Sequence, residues 1–173
     1  LKATRFDMQG CNVYISSNNL IKEKYLPIIL SGKSGKRKMY ILKGESGSSL
    51  YKPNEKWKKF WVEGYSEVNR IEEVDTRTIK DLNLPRFHMI KADIQGAELE
   101  VFKGIAPEKW DDVVGVEVEA SFWDSYEGIC LFPDIHSYLE SKGFALIGLR
   151  PSYSFLMNGE EKIENHKKRY GNV

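Results

Sequence analysis

Residues Phe87–Gly104 read FHMIKADIQGAELEVFKG, and this stretch decides the fold. Phe87–Ala92 is a strand candidate that stops at Asp93. Ala97–Lys103 follows as a helix, closed by Gly104, a residue type that tolerates positive φ at a helix end. Val113–Val118 (VVGVEV) is a near-continuous apolar run, the pattern of a strand covered on both faces. Pro133–Lys142 (PDIHSYLESK) has Pro in the first turn, places Ile135, Tyr138 and Leu139 on one face and stops at Gly143. Phe144–Leu149 (FALIGL) is the next strand candidate. Alternation of strand and helix with short joins predicts an α/β fold with a mainly parallel sheet and helical crossovers, in which Ile90–Asp93 and Val114–Glu119 are adjacent central strands.

Upstream, Ala3–Met8 reads as a short strand ending at Asp7, and Ser16–Tyr25 as a short capped helix. Leu26–Leu30 (LPIIL) is a compact apolar strand candidate. Ser31–Gly35 forms a turn, and Lys36–Lys43 is a second strand. Gly44–Tyr65 has weak periodicity and reads as loop with one helical turn. Val68–Val74 alternates loosely, and Asp75–Leu82 (DTRTIKDL) has the look of a short helix. In parallel sheets ligands sit beyond the carboxyl ends of the strands. That rule selects Asp7, Ser31, Asp93 and Glu119, each at or just after a predicted strand end.

The 173 residues form one domain's worth of chain, with 41% hydrophobic and 29% charged residues, so disorder is set aside. A net charge of +1 gives no strong field for nucleic acid or a membrane surface. The basic runs Lys33–Lys38, Lys56–Lys59 and His166–Arg169 read as solvated loops balanced by carboxylates. Cys11 and Cys130 lack metal-ligand spacing, which suits two reduced thiols in a cytoplasmic protein better than one disulfide. No run approaches the roughly 18 apolar residues of a membrane span.

Several residues admit two readings. Asp93 faces a donor, an acceptor hydroxyl or a metal, or else caps the Ala97 helix. Gln95 and Gly96 shape the turn, and Glu98 is either functional or a partner for the helix dipole. Glu117 and Glu119 share one strand face, where carboxylates are costly unless paired, hydrated or ligating. Glu119, nearer the edge, is the better general-base candidate. With Asp93 it could form a hard-oxygen Mg²⁺ or Ca²⁺ site, or it is held in an ion pair with Lys or Arg. His88, His136 and His166 do not cluster and read as structural or exposed. Trp57, Trp61 and Tyr65 suit one helix face, as core packing or a lid in preference to a sugar platform.

The segment Ile90–Gly104 (IKADIQGAELEVFKG), with its Asp-x-Gln-Gly-x-Glu core, is similar to the hallmark of FkbM-type S-adenosylmethionine (SAM) methyltransferases. Gly47–Asn54 (GSSLYKPN), Glu73–Leu82, Glu117–Phe122 (EVEASF) and Phe132–Phe144 resemble further blocks of that family in the same order, over roughly residues 26 to 150. The resemblance implies a class I methyltransferase (Rossmann-like) fold, SAM as cofactor, and methylation of a hydroxyl on a sugar or small metabolite. It implies that Asp7 binds the SAM ribose hydroxyls, that Ser31 and Asp93 border the cofactor, and that Asp93 and Glu119 act on the reacting groups; no residue is assigned to a metal. The family's Asp-x-Gly-Ala-Asn-x-Gly turn has no match here. Arg5-Phe6-Asp7 aligns with a second-strand end, which places the first strand and its glycine loop upstream of Leu1 in a longer chain.

Two rival readings use the same residues. One is a non-catalytic binding or assembly domain that keeps the sheet and lacks the cofactor loop. The other is a sugar-nucleotide enzyme using Asp93 and Glu119 around a divalent metal. Without the glycine loop, the 173-residue chain is expected to bind SAM weakly or not at all. Titration calorimetry measures this, and micromolar binding by the chain alone would place the cofactor site elsewhere.

Overall fold

Two sheets meet around one apolar core in the computed structural model, which describes residues 26–60 and 64–150 together with the backbone of two strands nearer the N-terminus. The first sheet is built from β1 (Ala3–Asp7), β2 (Asn12–Ile15), β6 (Met89–Ala92) and β7 (Gly115–Val118), in the order β2-β1-β6-β7. β1, β6 and β7 run parallel, and β2 is antiparallel to β1. The second sheet contains β3 (Ile29–Leu30), β4 (Gly35–Leu42) and β5 (Val68–Arg77), in the order β3-β5-β4. β5 is antiparallel to β4 and parallel to β3. Helices α1 (Glu98–Lys103) and α2 (Phe132–Ser141) complete the regular elements, with short 3-10 segments at Glu45–Gly47, Glu55–Phe60, Lys80–Leu82 and Pro107–Asp112.

Side-chain alternation explains how β6 is placed. Ile90 and Ala92 are each 1% exposed and point into the core, whereas Lys91 faces the other way and pairs with Glu117 of β7 at 2.7 Å. Helix α1 has only six residues, too few to be stable alone. It persists because Leu99, Val101 and Phe102 are buried against β6 and its surroundings. Phe102 meets the ring of Trp110 edge-on at 6.0 Å, and Trp110 contacts Tyr138 and Phe144 in the same manner. α2 is capped at both ends. The Asp134 carboxylate accepts the Leu131 N–H, while Gly143 (φ 88°) and Phe144 donate to the Glu140 and Leu139 carbonyls in a Schellman closure. Gly104 also ends its helix, but at φ −82°, so close packing and not a left-handed turn suits it there.

The expectation of one mainly parallel sheet is corrected to two smaller sheets. Ile90–Asp93 and Val114–Glu119 do lie side by side in parallel, yet β7 is the edge strand of the described sheet and not a central one. The predicted Asp75–Leu82 helix is instead the end of β5 followed by one 3-10 turn. Pairing with β4 decides this: basic Lys36, Arg37 and Lys38 stand opposite Asp75, Val74 and Glu73, and Lys36 Nζ lies 3.1 Å from Asp75 Oδ2. Residues 35–38 of the basic run Lys33–Lys38 are therefore strand, not loop. Within Leu26–Leu30 only Ile29–Leu30 forms the strand, consistent with Pro27 lacking a donor. Phe144–Leu149 is not a strand. Leu146, Ile147 and Leu149 are exposed, and no ladder among the described residues receives them.

The expected helix at Ser16–Tyr25, together with Cys11, Trp61 and His166, lies outside the described residues. Trp57 sits in a 3-10 turn, so the proposed single helix face is not formed there. Cys130 is a half-buried free thiol. Among the described residues no helix is long and apolar enough to cross a membrane. Because Phe102 is completely buried and packs edge-on against Trp110, the hub of the aromatic cluster, Phe102→Ala is expected to cost about 3–5 kcal/mol. Urea denaturation at constant m-value checks it, and a loss below about 1 kcal/mol would mean that the cluster closes over the gap.

Candidate functional site

The parallel registers place three acidic residues in one row. Arg5 pairs with Lys91, and Lys91 with Glu117, so two residues further along each strand Asp7, Asp93 and Glu119 stand level at the carboxyl edge. The ladder continues into this row, since Glu119 N donates to Ala92 O at 2.8 Å. The backbone position of Asp7 is described; its side chain lies outside the described residues.

The turn after Asp93 is held by three devices. Gln95 (φ 51°) and Gly96 (φ 100°) both adopt left-handed conformations. A Cβ on Gly96 would lie 2.4 Å from Ile129 Cγ2, so only glycine fits. Glu98, buried at 4% exposure, folds its carboxylate back to accept the Ile94 N–H at 2.9 Å and the Gly96 N–H at 3.2 Å. Glu98 is thus the clasp of the turn and not merely a dipole partner. Asp93 does not cap α1: the cap position belongs to Ala97, and no side chain bonds there. Its carboxylate is free to face Glu119.

Gln95 occupies the space between the two acids. Its Nε2 donates to Asp93 Oδ1 and to Glu119 Oε2, each at 3.1 Å. On the other side the buried Tyr126 hydroxyl lies 3.2 Å from Gln95 Oε1 and 2.7 Å from Gly47 O, and Ser49 Oγ donates to the Gln95 carbonyl at 2.6 Å. Partial desolvation, a hydrogen bond shared with Asp93 and the charge of Asp93 push the Glu119 carboxyl up to about 8. The residue as a whole keeps an exposed outer side, so the contact with Asp93 carries more weight than dehydration. Burial raises Glu98 to about 7 against the lowering effect of its backbone donors, and burial also raises the Tyr126 phenol.

Other predicted residues have different work. Glu117 is held by Lys91 at 2.7 Å and by Arg150 at 3.4 Å, so the ion-pair reading belongs to it and not to Glu119. Ser31 ends β3 in the second sheet, fully buried, and accepts from Arg37 Nη1 at 2.6 Å. Arg37 also pairs with Glu100 of α1 at 2.7 Å, and Tyr51 donates to the same carboxylate. Ser31 therefore belongs to a tie between the second sheet and α1, apart from the acidic row. His136 stacks on Phe132 and lies 3.4 Å from Glu140. Among the described residues no group of three or more His, Cys, Asp or Glu is arranged to hold a metal ion, and the amide of Gln95 fills the gap between the two carboxylates.

The residues matched by the Methyltransferase FkbM domain run from 7 to 146, and so include the acidic row, its turn and Tyr126. The chain belongs to the FkbM methyltransferase family. It is similar to "Methyltransferase 1" of Beauveria bassiana, with 36% identity over 87 residues, or 47% of this chain and 33% of that protein. It is also similar to "Methyltransferase sdnD" of Sordaria araneosa, with 42% identity over 64 residues, or 37% of this chain and 23% of that protein. The matched stretches span a third or less of these relatives. No solved structure gives a significant match. Within this FkbM domain, Gln95, Tyr126 and Ser49 are the residues whose part in the site the sequence did not disclose. Ser49 and Gln95 lie in motif blocks, whereas nothing in the sequence around Tyr126 signals that its hydroxyl reaches the turn.

Glu98 ties the site to stability. Its folded-state value of about 7 lies above the unfolded value near 4.5, so the folded chain binds this proton more tightly. Its contribution is greatest below the unfolded value and is lost as pH rises through the folded one. Wild-type stability is expected to fall by on the order of 2 kcal/mol between pH 5 and pH 8 through this group. Glu98→Gln keeps an acceptor for the two N–H groups but removes the titration, so its urea-derived stability should fall less over the same range. Glu119 adds a slope of its own to both proteins, somewhat smaller in the variant because the Glu98 charge is one of the lesser causes of its raised value. Equal slopes would show that Glu98 ionises in place without cost.

Proposed function

We propose that this FkbM domain belongs to a SAM-dependent enzyme that methylates a hydroxyl of a sugar or small metabolite. The observation that carries the reading is the Asp93–Glu119 pair at the carboxyl edge of two parallel strands, bridged by Gln95. Family membership supports methyl transfer as the reaction. The parallel strands β1, β6 and β7 support a class I arrangement in which the cofactor lies along that edge.

The donor set suits SAM chemically. A sulfonium cation and a ribose diol call for negative charge and hydrogen-bond acceptors, which Asp7 and Asp93 offer, while Glu119 is left to the methyl acceptor. SAM, when bound, supplies an electrophilic methyl group. In this reading Asp7 accepts the ribose hydroxyls and Asp93 borders both donor and acceptor. Glu119 takes the proton of the acceptor hydroxyl as the oxygen becomes a nucleophile. Gln95 and the clasped turn keep the two carboxylates in place, so orientation is set before the substrates arrive.

A carboxyl raised to about 8 is a stronger proton acceptor than an ordinary glutamate, but it is active only when ionised. Turnover should therefore rise with pH through 7 and level off above about 8. In the complete protein, Glu119→Gln is expected to lower kcat by about 10²–10⁴-fold while SAM affinity stays nearly intact. Asp93→Asn should damage both. Radiolabelled methyl transfer and calorimetric SAM titration separate the two effects. If Glu119→Gln retained its rate across the pH range, Glu119 would be structural and the base would lie elsewhere.

A further inference from the structure

Tyr126 touches neither member of the acidic pair in any described hydrogen bond, yet its hydroxyl is buried at 2% residue exposure and points at the one side chain that touches both. The Gln95 amide has two N–H bonds, and each is used by one carboxylate, Asp93 Oδ1 and Glu119 Oε2, at 3.1 Å. An amide can rotate half a turn and offer its oxygen instead; ionised carboxylates, which only accept, favour its N–H side, and the contact made by its oxygen adds to that preference. Here that contact is Tyr126. Its O–H is donated in a three-centre bond to Gly47 O at 2.7 Å and to Gln95 Oε1 at 3.2 Å. The Gln95 backbone cannot compensate by moving, since it is fixed in a left-handed conformation and its carbonyl accepts from Ser49.

We propose that Tyr126 is a positioning residue that locks the Gln95 amide with its NH₂ toward Asp93 and Glu119, and thereby sets how the pair holds its shared proton. The donors of the locked amide favour ionised carboxylates. With the lock removed, the amide can turn its oxygen to the pair, where it accepts a proton from the acid form and favours the protonated state. Among the described side chains, Glu98 of α1 and Tyr65, which acts on Tyr126, are the other titratable groups around this network, and Asp7 stands level with the pair in the backbone register. Lys91 and Arg150, the cations that pair with Glu117 on β7, are engaged there. The proposal rests on the reading of Glu119 as the base, but it concerns a titration that can be followed without turnover.

The test uses the complete protein with ¹³C-labelled glutamate, the Glu119 carboxyl signal being assigned by its absence in Glu119→Gln. Tyr126→Phe is expected to raise the Glu119 titration midpoint by about half a pH unit or more. Turnover at pH 7 should fall several-fold, recover at higher pH, and leave the KM for SAM unchanged. Gln95→Met, which removes the amide, should produce a similar rise, and the double variant no more than either single one, because both changes remove one pathway. An unmoved midpoint in Tyr126→Phe, or shifts that add in the double variant, would overturn the proposal and leave Tyr126 a packing residue. Should Tyr126→Phe fail to fold, 3-fluorotyrosine at that position keeps the ring and strengthens the donor. The midpoint should then move down, and an unchanged value would overturn the lock. If Glu119→Gln left turnover intact, the base reading would fail while the carboxyl titration still reported on Tyr126.

Discussion

The register of the parallel ladder between β6 and β7 is the constraint on which the candidate site depends. Lys91 stands opposite Glu117 and Ala92 opposite Val118, so the next pair in line is Asp93 and Glu119. A slip of one residue would turn Ile90 and Ala92 out of the core and bring Lys91 in, at a cost of several kcal/mol in lost apolar burial and a buried charge. The core therefore enforces the register, and the register brings two acids together. Burial of Ile90 and Ala92 on one face and the placement of charge at the edge are two consequences of one pairing.

Two carboxylates in contact repel, and among the described residues cations do little to relieve this. The lysine and arginine on the neighbouring positions are taken by Glu117. Relief comes from a neutral donor, the Gln95 amide, and from partial protonation of Glu119. A neutral donor suits a site meant to receive a cation or to accept a proton, because a resident lysine would neutralise the pair permanently. The turn that presents Gln95 carries its own costs: a non-glycine residue in a left-handed conformation and a buried acid, Glu98. Such local costs, offset by a well-filled core beside them, are the usual mark of a functional turn.

The second sheet and the segment between β4 and β5 act as the support. Ser49 reaches the Gln95 carbonyl, the Gly47 carbonyl receives Tyr126, and Arg37 joins Ser31 to Glu100 on α1. Lys52 and Asn54 are in turn pinned to residues 124–127, through backbone bonds to Glu127 and Ser125 and the Asn54 amide on Asp124. The turn with the acids is thus gripped from a strap that lies far away in sequence, and a change in that strap would be felt as a change in amide orientation.

The sequence by itself determined the local grammar. A strand ending at Asp93, a turn needing glycine, a short helix, a second strand ending at Glu119 and a helix stopped at Gly143 are legible because backbone preference and side-chain periodicity are local properties. The order of motif blocks likewise identified the family, since it needs no knowledge of space. Tertiary structure decided the remainder. Asp75–Arg77 became the end of strand β5 where its own residues suggested helix, because the carboxylates of β5 found the basic face of β4. Phe144–Leu149 stayed irregular, because an apolar run becomes a strand only where an edge takes its hydrogen bonds. Ser31 was drawn into an ion-pair tie, Glu98 into the clasp, and Tyr126 into the site from 31 residues beyond Gln95. These roles depend on contacts between distant segments, and no spacing along the chain encodes a contact that only the packed core creates.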